Sequence, residues 1–397
     1  MGFVYPSDPS YDAVRRPQVA RFADVRPSLI ARCRSAADVA EAIALARRDG
    51  RGLAVRAGGH DFGGGSSTTG VLIDVSPMDG ADASDGRVTV GAGARLGRIY
   101  DALAPRGVTI AGGCGPTVGI AGLALGGGLG ILGRRHGLTC DQLVEADVVL
   151  ADGRIVTCDE NRHPDLFWGL RGAGNGRLGV VTRMTLRTVP ARPTTCFHLT
   201  WPRERAAEVI ADWQRWAPDA PDDVAASLLV TSTGVHLFGA GPAELPAGAA
   251  SETVVTLPFR EAKAWLAEHG PGEAGEDYKS EFFRSALPPE TIEALVGAFE
   301  HGELDFSPWG GAYNRVAPDA TAFVHRRERF VLKQTGEREW LRRSYAITHP
   351  HGSGGVYPNF PDAELDDPDR AYFGTNLGRV REVAAAYDPD GVFTRPS

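Results

Sequence analysis

The sequence predicts a two-domain α+β protein, and three observations support that fold class. The chain has 397 residues, which at ~100–200 residues per domain suggests two domains. Glycine is concentrated in one part, since 31 of the 50 glycines lie in residues 50–179. Helix-like and strand-like segments are mixed throughout, without an internal repeat. Near residue 190 glycine thins and proline clusters, which marks the expected boundary between the two domains.

The composition excludes several classes of protein. Hydrophobic residues make up 43% and charged residues 23%, a balance typical of a folded chain. A net charge of −8 and a pI near 5.7 offer no basic surface to nucleic acid or anionic lipid. No segment approaches the ~20 apolar residues of a membrane span, and no secretory signal is visible, so we expect a cytoplasmic protein. Five cysteines without a C-x-x-C pair predict no metal site, and the oligomeric state stays open.

The first part of the chain reads as short strands joined by loops and helices. Ser35 is positioned to cap a helix that ends at Gly50. Asp152-Gly153 lies between two β-rich runs and predicts a two-residue hairpin turn. Alternation of apolar and polar residues over 178–189 predicts a strand with one buried face. Further strands are expected at 53–55, 71–76 and 87–93.

The second part mixes strands and helices. Apolar residues at helical spacing predict a helix over 201–216, and another is expected from Pro289. Residues 226–241 and 321–335 read as strands. At the C-terminus, Asp367 followed by Pro368 predicts the start of one helix that runs to about Tyr387.

The first candidate site is Arg56-Ala57-Gly58-Gly59-His60, directly after a predicted strand. Glycines there let successive backbone N–H groups converge on an anion such as a pyrophosphate. They also let the backbone approach a large ligand closely. The imidazole of His60 would lie beside that ligand, although a histidine in a glycine loop also commonly serves as a structural hydrogen-bonding residue.

Two further glycine-rich segments follow, at 112–141 and 165–186. Within the first, Gly128 to Gly133 formally match the dinucleotide fingerprint G-x-G-x-x-G. The context argues against a nicotinamide site, because no clean strand precedes the motif and Asp147 begins a strand rather than ending one. Each segment taken alone is equally compatible with a tight loop between packed elements.

Together the three segments carry a family resemblance. Residues 56–78, 116–141 and 165–182 resemble, in order and spacing, the FAD-linked oxidases with a p-cresol-methylhydroxylase-type flavin domain. Within these the chain is similar to the berberine-bridge-enzyme-like branch, which includes bacterial 6-hydroxynicotine oxidases, sugar oxidases and natural-product tailoring enzymes. The segment VYPNFPD at 356–362 and the run REVAAAYDPDGVF at 381–393 agree, so the resemblance covers nearly the whole chain.

The resemblance implies FAD as the cofactor, bonded covalently to His60. It implies a two-domain fold with a flavin domain of residues 1–190 plus 347–397 and a substrate domain of 191–346, an antiparallel sheet backed by helices. Some relatives have a second link from a cysteine, but Gly115 occupies that position and Cys114 lies one residue early, so we favour a single link. The other implied cofactor-binding residues are Arg56, Ala57, Gly58, Gly59, Asp61, Ser66, Gly115, Val118, Gly119, Gly122, Gly126, Gly179 and Val181.

The resemblance also implies catalytic positions. Tyr357 and Asn359 match a motif beside the reactive face of the flavin, where the tyrosine removes a proton in several relatives. A phenol with an ordinary pKa near ~10 is a weak base at neutral pH, so Tyr357 needs help from the flavin or a cation, or else serves only in packing. Phe360 replaces a second tyrosine that is usual in the family. Candidates for the substrate pocket are Trp309, Tyr313, Asn314, His325, His349 and His351.

These expectations define a function. The protein is expected to transfer a hydride from a small-molecule substrate, an alcohol, an amine or a secondary metabolite, to flavin N5. Dioxygen is the expected electron acceptor, giving hydrogen peroxide, because Val118 matches a small residue on the oxygen side of the flavin. The alternatives are a flavoprotein that runs a redox-neutral or oxidative cyclisation or an oxygenation, and a non-catalytic flavin binder.

Overall fold

The computed structural model describes residues 1–242, 244–270 and 277–393. The chain starts with a four-stranded sheet formed by β1 (Gly2–Val4), β2 (Leu29–Arg32), β3 (Leu53–Arg56) and β4 (Val71–Asp74). The strand order is β1-β2-β4-β3, with β2, β4 and β3 parallel. Helices α1 (Tyr11–Arg15) and α2 (Ala36–Arg48) pack against it. The hydroxyl of Ser35 accepts a hydrogen bond from Asp38 N at 3.2 Å, which confirms the predicted cap of α2.

A second, antiparallel sheet completes the N-terminal part. The strands that follow are β5 (Ala81–Ser84), β6 (Arg87–Gly91), β7 (Val108–Thr109), β8 (Leu143–Val149), β9 (Ile155–Cys158), β10 (Val180–Arg187) and β11 (Val189–Pro190). Five of them form a sheet in the order β5-β6-β10-β8-β9, and β7 pairs with β11. The predicted hairpin is confirmed, since β8 and β9 pair on either side of Gly153, whose φ is +86°. Its loop is longer than the expected two residues, because Val149 pairs with Ile155 and Leu150 N donates to Arg154 O at 2.9 Å. The helices between these strands are α3 (Leu96–Leu103), α4 (Ile120–Leu125), α5 (Gly133–His136) and α6 (Pro164–Ala173).

A seven-stranded antiparallel sheet dominates the second part. Its strands are β12 (Thr194–Trp201), β13 (Ala225–Val230), β14 (Val235–Ala240), β15 (Ser251–Leu257), β16 (Asp277–Phe283), β17 (Glu303–Pro308) and β18 (Phe330–Gly336). Their order across the sheet is β15-β12-β14-β13-β17-β18-β16. The helices are α7 (Ala206–Trp216), α8 (Phe259–His269), α9 (Pro289–Gly297), α10 (Ala312–Arg315) and α11 (Arg338–Thr348).

The two faces of this sheet have different partners. Side chains such as Leu199, Leu228 and Leu332 form a core with α7, α9 and α11 on one face. This confirms the expected antiparallel sheet backed by helices. The opposite face looks toward the glycine-rich loops, as Ser280 on that face reaches Phe360 and helix α8 packs between the sheet and residues 112–115. We call this opposite side the loop-facing face.

Two expected elements differ in the structure. Residues 321–329 do not form a strand, and β18 begins only at Phe330. The reason is Arg326, whose buried side chain turns back to Asp141 instead of alternating along a sheet. The expected C-terminal helix is two helices, α12 (Pro368–Phe373) and α13 (Leu377–Tyr387), because Gly374 between them has a φ of +45°. Asp367 caps α12 as predicted, accepting from Arg370 N at 3.1 Å.

The C-terminal segment returns to the N-terminal core. Val356, Tyr372 and Val383 pack into the same buried cluster as the first two sheets. This return places residues 357–361 against the glycine-rich loops. None of the helices in the described ranges has the length and apolarity needed to cross a membrane.

Candidate active site

A cavity of about 390 Å³ lies where the three glycine-rich segments meet residues 357–361. This volume falls within the ~300–1,000 Å³ that is usual for ligand sites. Most of the expected cofactor-binding residues line it, namely Ala57, Gly58, Gly59, His60, Asp61, Ser66, Gly115, Val118, Gly119, Gly122, Gly179 and Val181, and so do Tyr357 and Asn359. These residues come from four segments spread between positions 57 and 359, and the fold brings them to one cavity.

Bare backbone brings the first two loops together. A Cβ atom added to Gly58 would overlap the backbone nitrogen of Gly119, and one added to Gly119 would crowd Gly58 in return. Gly122 differs, since a Cβ there would meet nothing within 4 Å. Gly179 has a φ of +124°, a conformation that favours glycine, and its added Cβ would press on Val148. The glycines thus serve both to join the loops and to leave the cavity open.

Two expected cofactor residues, Arg56 and Gly126, lie behind the wall. The buried guanidinium of Arg56 donates to Ser66 O at 3.0 Å and to Ser67 Oγ at 3.2 Å, which shapes the first loop. Burial lowers the pKa of Arg56 to about 10. An added Cβ at Gly126 would overlap the side chain of Asn359. Both residues support the wall rather than face the cavity.

Tyr357 and Asn359 connect the C-terminal segment to the loops. The phenol oxygen of Tyr357 accepts hydrogen bonds from Gly128 N at 2.7 Å, Leu129 N at 3.2 Å and Asn359 Nδ2 at 3.1 Å. Asn359 Nδ2 also donates to Leu123 O at 2.9 Å. Burial raises the pKa of Tyr357 to about 12, and the donated hydrogen bonds only partly oppose that rise. Tyr357 is therefore a neutral phenol at neutral pH.

The expected pocket aromatics pack beside Tyr357. The ring centroids of Trp309 and Tyr313 lie 4.5 Å apart, and that of Trp309 lies 6.1 Å from Tyr357. Both rings are buried in one cluster with Phe282 and Phe323. The phenol of Tyr313 bonds the backbone of Gly130, as acceptor from N at 3.2 Å and donor to O at 3.0 Å. These rings hold the loop at 128–130 and do not line the cavity.

The remaining pocket candidates lie elsewhere. Asn314 donates to Glu328 O at 2.8 Å. His325 stacks on Phe282 with ring centroids 4.6 Å apart, and burial lowers its pKa to about 3. His349 contacts a carboxylate oxygen of Glu281 at 3.0 Å, and His351 contacts Thr291 Oγ1 at 2.9 Å. None of the four lines the cavity, and His349 and His351 contact Glu281 and Thr291 instead of Tyr357.

The structure also explains the formal dinucleotide motif. A Cβ added to Gly128 would overlap Thr139, one added to Gly130 would overlap Gly112, and one added to Gly133 would overlap Tyr313. These glycines therefore pack against protein. They are needed for close contact within the fold, and the cavity lies to one side of them.

Sequence reasoning missed a polar row on the loop-facing face of the large sheet. His236, Asp305, Lys333 and Ser280 lie in one row of direct partners across five neighbouring strands, with the apolar Leu229 between His236 and Asp305. Asp305 Oδ2 lies 3.5 Å from Lys333 Nζ, and both side chains are only 8% exposed. Lys333 Nζ lies 5.3 Å from the ring centroid of Phe360, which lines the cavity. The available signal was a charged residue directly beside large apolar ones, with Asp305 between Leu304 and Phe306 and Lys333 after Leu332.

The cavity fits FAD on structural grounds. Its walls are largely backbone and apolar side chains, and three separate loops reach it, which suits a long cofactor with a pyrophosphate in its middle. His60 belongs to the wall and directly follows the two glycines of the first loop. Asn175, Gly176, Phe62 and Leu129 also line it and were not foreseen.

Comparisons with known proteins agree with this geometry. A family model described as FAD binding domain matches residues 27–159, and one described as berberine and berberine like matches residues 356–397. An uncharacterised FAD-linked oxidoreductase of Bacillus subtilis, YgaK, is 32% identical over 427 residues, covering 97% of this chain and 94% of the relative. A chitooligosaccharide oxidase of Gibberella zeae is 29% identical, covering 93% of this chain and 86% of that protein.

Solved structures are similar over the whole chain. The wild-type BBE-like 1 protein of Physcomitrella patens matches with a TM-score of 0.90 and 26% identity, covering 100% of this chain and 96% of that one. A chitooligosaccharide oxidase structure matches with a TM-score of 0.87 at 23% identity, which bears on the fold alone. The expected fold class, a mixed fold of the p-cresol-methylhydroxylase type, is thereby confirmed. With a cavity walled by the resembling segments and a near-full-length relative, the chain belongs to the berberine-bridge-enzyme-like FAD-linked oxidoreductases.

Proposed function

We propose that the protein is an oxidase that binds FAD covalently and oxidises a small-molecule alcohol, amine or secondary metabolite. When bound, FAD supplies the hydride acceptor, and dioxygen takes the electrons on to give hydrogen peroxide. The observation that carries this proposal is the meeting of His60, Val118 and the Tyr357–Asn359 pair at one cavity walled by glycine backbone and apolar side chains. Relatives named as oxidases support it. Cytoplasmic location and the domain boundaries near 190 and 347 stay predictions.

The residues divide into two roles in this proposal. The first loop, from Ala57 to Ser66, holds the pyrophosphate, and His60 carries the covalent bond. Tyr357 holds the loop at 128–129 and offers a neutral phenol to the substrate side of the cavity, and Asn359 fixes that phenol by donating to its oxygen and to Leu123 O. Cys114 has a different environment, since its Sγ lies 3.9 Å from Lys263 Nζ while its neighbours Gly113 and Gly115 line the cavity. This arrangement supports a single link through His60.

Proton removal has two candidates in the structure. Tyr357 is implied by the resemblance but has a raised pKa of about 12. Asp305 does not line the cavity itself but belongs to the buried pair with Lys333 behind the wall residue Phe360, so a substrate meets it only when the Phe360 ring turns aside. Burial raises the pKa of its carboxyl group, which makes the carboxylate a stronger base. We propose that Asp305 accepts the proton and that Tyr357 positions the reacting group. The O–H or N–H bond of the substrate breaks, and its electron pair forms the new double bond as hydride leaves the carbon.

Acid precipitation tests the covalent bond. We expect the wild-type pellet to stay yellow and the intact mass to include one FAD, and we expect His60→Ala to release its flavin into the supernatant. Cys114→Ser is the matched control and should keep the colour in the pellet. A yellow pellet from His60→Ala, or loss of colour from Cys114→Ser, would contradict the single link.

Peroxide stoichiometry tests the oxidase. With a substrate that reduces the bound flavin, we expect one hydrogen peroxide per dioxygen consumed and per substrate oxidised. Candidate substrates are alcohols and amines, screened by bleaching of the flavin spectrum under anaerobic conditions. Turnover without oxygen uptake would favour a redox-neutral cyclisation, and oxygen incorporated into the product would favour an oxygenation.

A further inference from the structure

Lys263 is a buried cation between the large sheet and the loop at 112–115. It lies on α8 and is 1% exposed. Its Nζ donates to Gly112 O at 2.5 Å and to Gly113 O at 3.0 Å, and Cys114 Sγ lies at 3.9 Å. One amino group on helix α8 therefore holds the glycine-rich loop at 112–115.

The contacts indicate a charged ammonium group. An ammonium has three N–H donors and no acceptor, and here three acceptors surround Nζ. A neutral amine would direct its lone pair at one of these acceptors, which is unfavourable. Burial lowers the pKa of Lys263, while Cys114 acts in the opposite direction. The three-acceptor geometry is the stronger indication of the protonated state.

This charge has no carboxylate partner within the described ranges. Its other neighbours are ring faces, with Nζ at 5.1 Å from the centroid of Tyr100 and 5.6 Å from that of Phe259. The adjacent Arg260 is half-exposed and pairs with Asp101 at 2.6 Å, so that pair is internally neutral. Lys263 thus places one uncompensated positive charge inside the protein.

The charge lies directly behind the cavity wall. Gly113 and Gly115 line the cavity, and Gly113 O accepts from both Lys263 and the Tyr100 hydroxyl, the latter at 2.6 Å. In a buried region of low dielectric, a unit charge acts over several ångströms with little screening. Any negative charge that develops in the cavity is therefore stabilised by Lys263.

We propose that Lys263 raises the reduction potential of the bound FAD. Two electrons and one proton enter the cavity together as hydride, so reduction adds one negative charge beside this uncompensated positive charge. A protein tunes its cofactor through such nearby charges. The inference needs only bound FAD, and it holds whether or not the substrate and oxygen chemistry proposed above are correct.

The test is the reduction potential of FAD-loaded variants, measured against a reference dye with a chemical reductant and no substrate. For Lys263→Met and Lys263→Gln we expect the equilibrium constant for reduction to fall at least tenfold, about 30 mV for a two-electron couple. Lys263→Arg keeps the charge and should stay close to wild type. Arg260→Gln, on the same helix, is the control and should also leave the potential unchanged.

A purely structural role gives a different pattern. Gln keeps two N–H donors for the carbonyls of Gly112 and Gly113, so a structural role requires Lys263→Gln to retain the wild-type potential and most of the stability. Equal potentials in wild type, Lys263→Gln and Lys263→Met, with only a lower unfolding temperature for Met, would overturn the proposal. Failure to oxidise any substrate would overturn the proposed oxidase and leave this result standing.

Discussion

Replacing Arg326 by Met is expected to lower the free energy of unfolding by about 3–5 kcal/mol, because it strands a buried carboxylate. The Arg326 side chain is fully buried, and its two terminal nitrogens bind Asp141 at 2.7 and 2.9 Å. The same guanidinium donates to Phe323 O, Tyr313 O and Thr321 Oγ1. Met fills a similar volume but leaves Asp141 without its cation.

The effect should reach the cavity as well as global stability. Residues beside Asp141 hold the loop at 127–129, which donates two backbone hydrogen bonds to Tyr357. Thr139 Oγ1 donates to Gly128 O at 3.1 Å, and Cys140 N donates to Gly127 O at 2.9 Å. We therefore expect Arg326→Met to bind FAD less completely than wild type. Urea unfolding measures the loss of stability, provided that the dependence of the unfolding free energy on urea concentration is the same in both proteins. The ratio of flavin to protein absorbance measures FAD binding.

Arg343→Met is the matched control. Arg343 is 47% exposed and pairs with Glu300 and Glu339 on the surface, where ion pairs contribute little. We expect its unfolding curve to overlay that of wild type. A change of less than 1 kcal/mol for Arg326→Met, below the ~3–5 kcal/mol expected when one partner of a buried pair is removed, would contradict the buried-pair explanation.

Replacing Asp305 by Asn is expected to lower kcat by roughly 10²–10⁴, the usual contribution of a positioned acid–base group. Asn keeps the shape and one acceptor oxygen but does not take up a proton. Tyr357→Phe is the comparison variant, and it should reduce kcat less while costing stability. Loss of the Tyr357 hydroxyl removes the acceptor for Gly128 N, Leu129 N and Asn359 Nδ2. A buried donor left unsatisfied lowers the free energy of unfolding by about 1–3 kcal/mol.

The change of kcat with pH distinguishes Asp305 from Tyr357 as the proton acceptor, because the two predict different profiles. Burial raises the pKa of Asp305, while Lys333 and Ser307 act to lower it. The carboxylate is the active form, so kcat falls as pH falls through this raised pKa and is level above it. If Tyr357 accepted the proton instead, the active form would be the phenolate, and kcat would rise about tenfold per pH unit up to pKa of about 12.

Lys333→Met sharpens this test. Removing the cation takes away the main influence that lowers the pKa of Asp305, so the acid limb of the profile should move to higher pH. Asp305→Asn should abolish that limb. A profile that keeps rising through pH 9 in wild type and is unchanged by either substitution would assign proton removal to Tyr357.

The sequence predicted turns and helix caps well, because each of these depends on contacts within a few neighbouring residues. The hairpin around Asp152-Gly153 and the caps at Ser35 and Asp367 each depend on a few neighbouring residues, and each is confirmed, although the hairpin loop is longer than two residues. The expectation over 321–335 was wrong in its first half because the side chain of Arg326 is bound 185 residues away at Asp141. The single helix expected from Pro368 was wrong because Gly374 adopts a φ of +45°, a value that glycine permits but does not require.

By itself, the sequence determined the fold class, the family and about half of the residues that line the cavity, because many of these residues belong to glycine-rich segments that stand out in the sequence. Tertiary structure decided which polar groups meet there. It joined Asp305 to Lys333, placed Lys263 behind Gly113, and sent His349 and His351 to other partners. The physical reason is that a glycine-rich loop is visible in one segment of the sequence. The effect of a buried charge, in contrast, depends on which partner the fold places beside it.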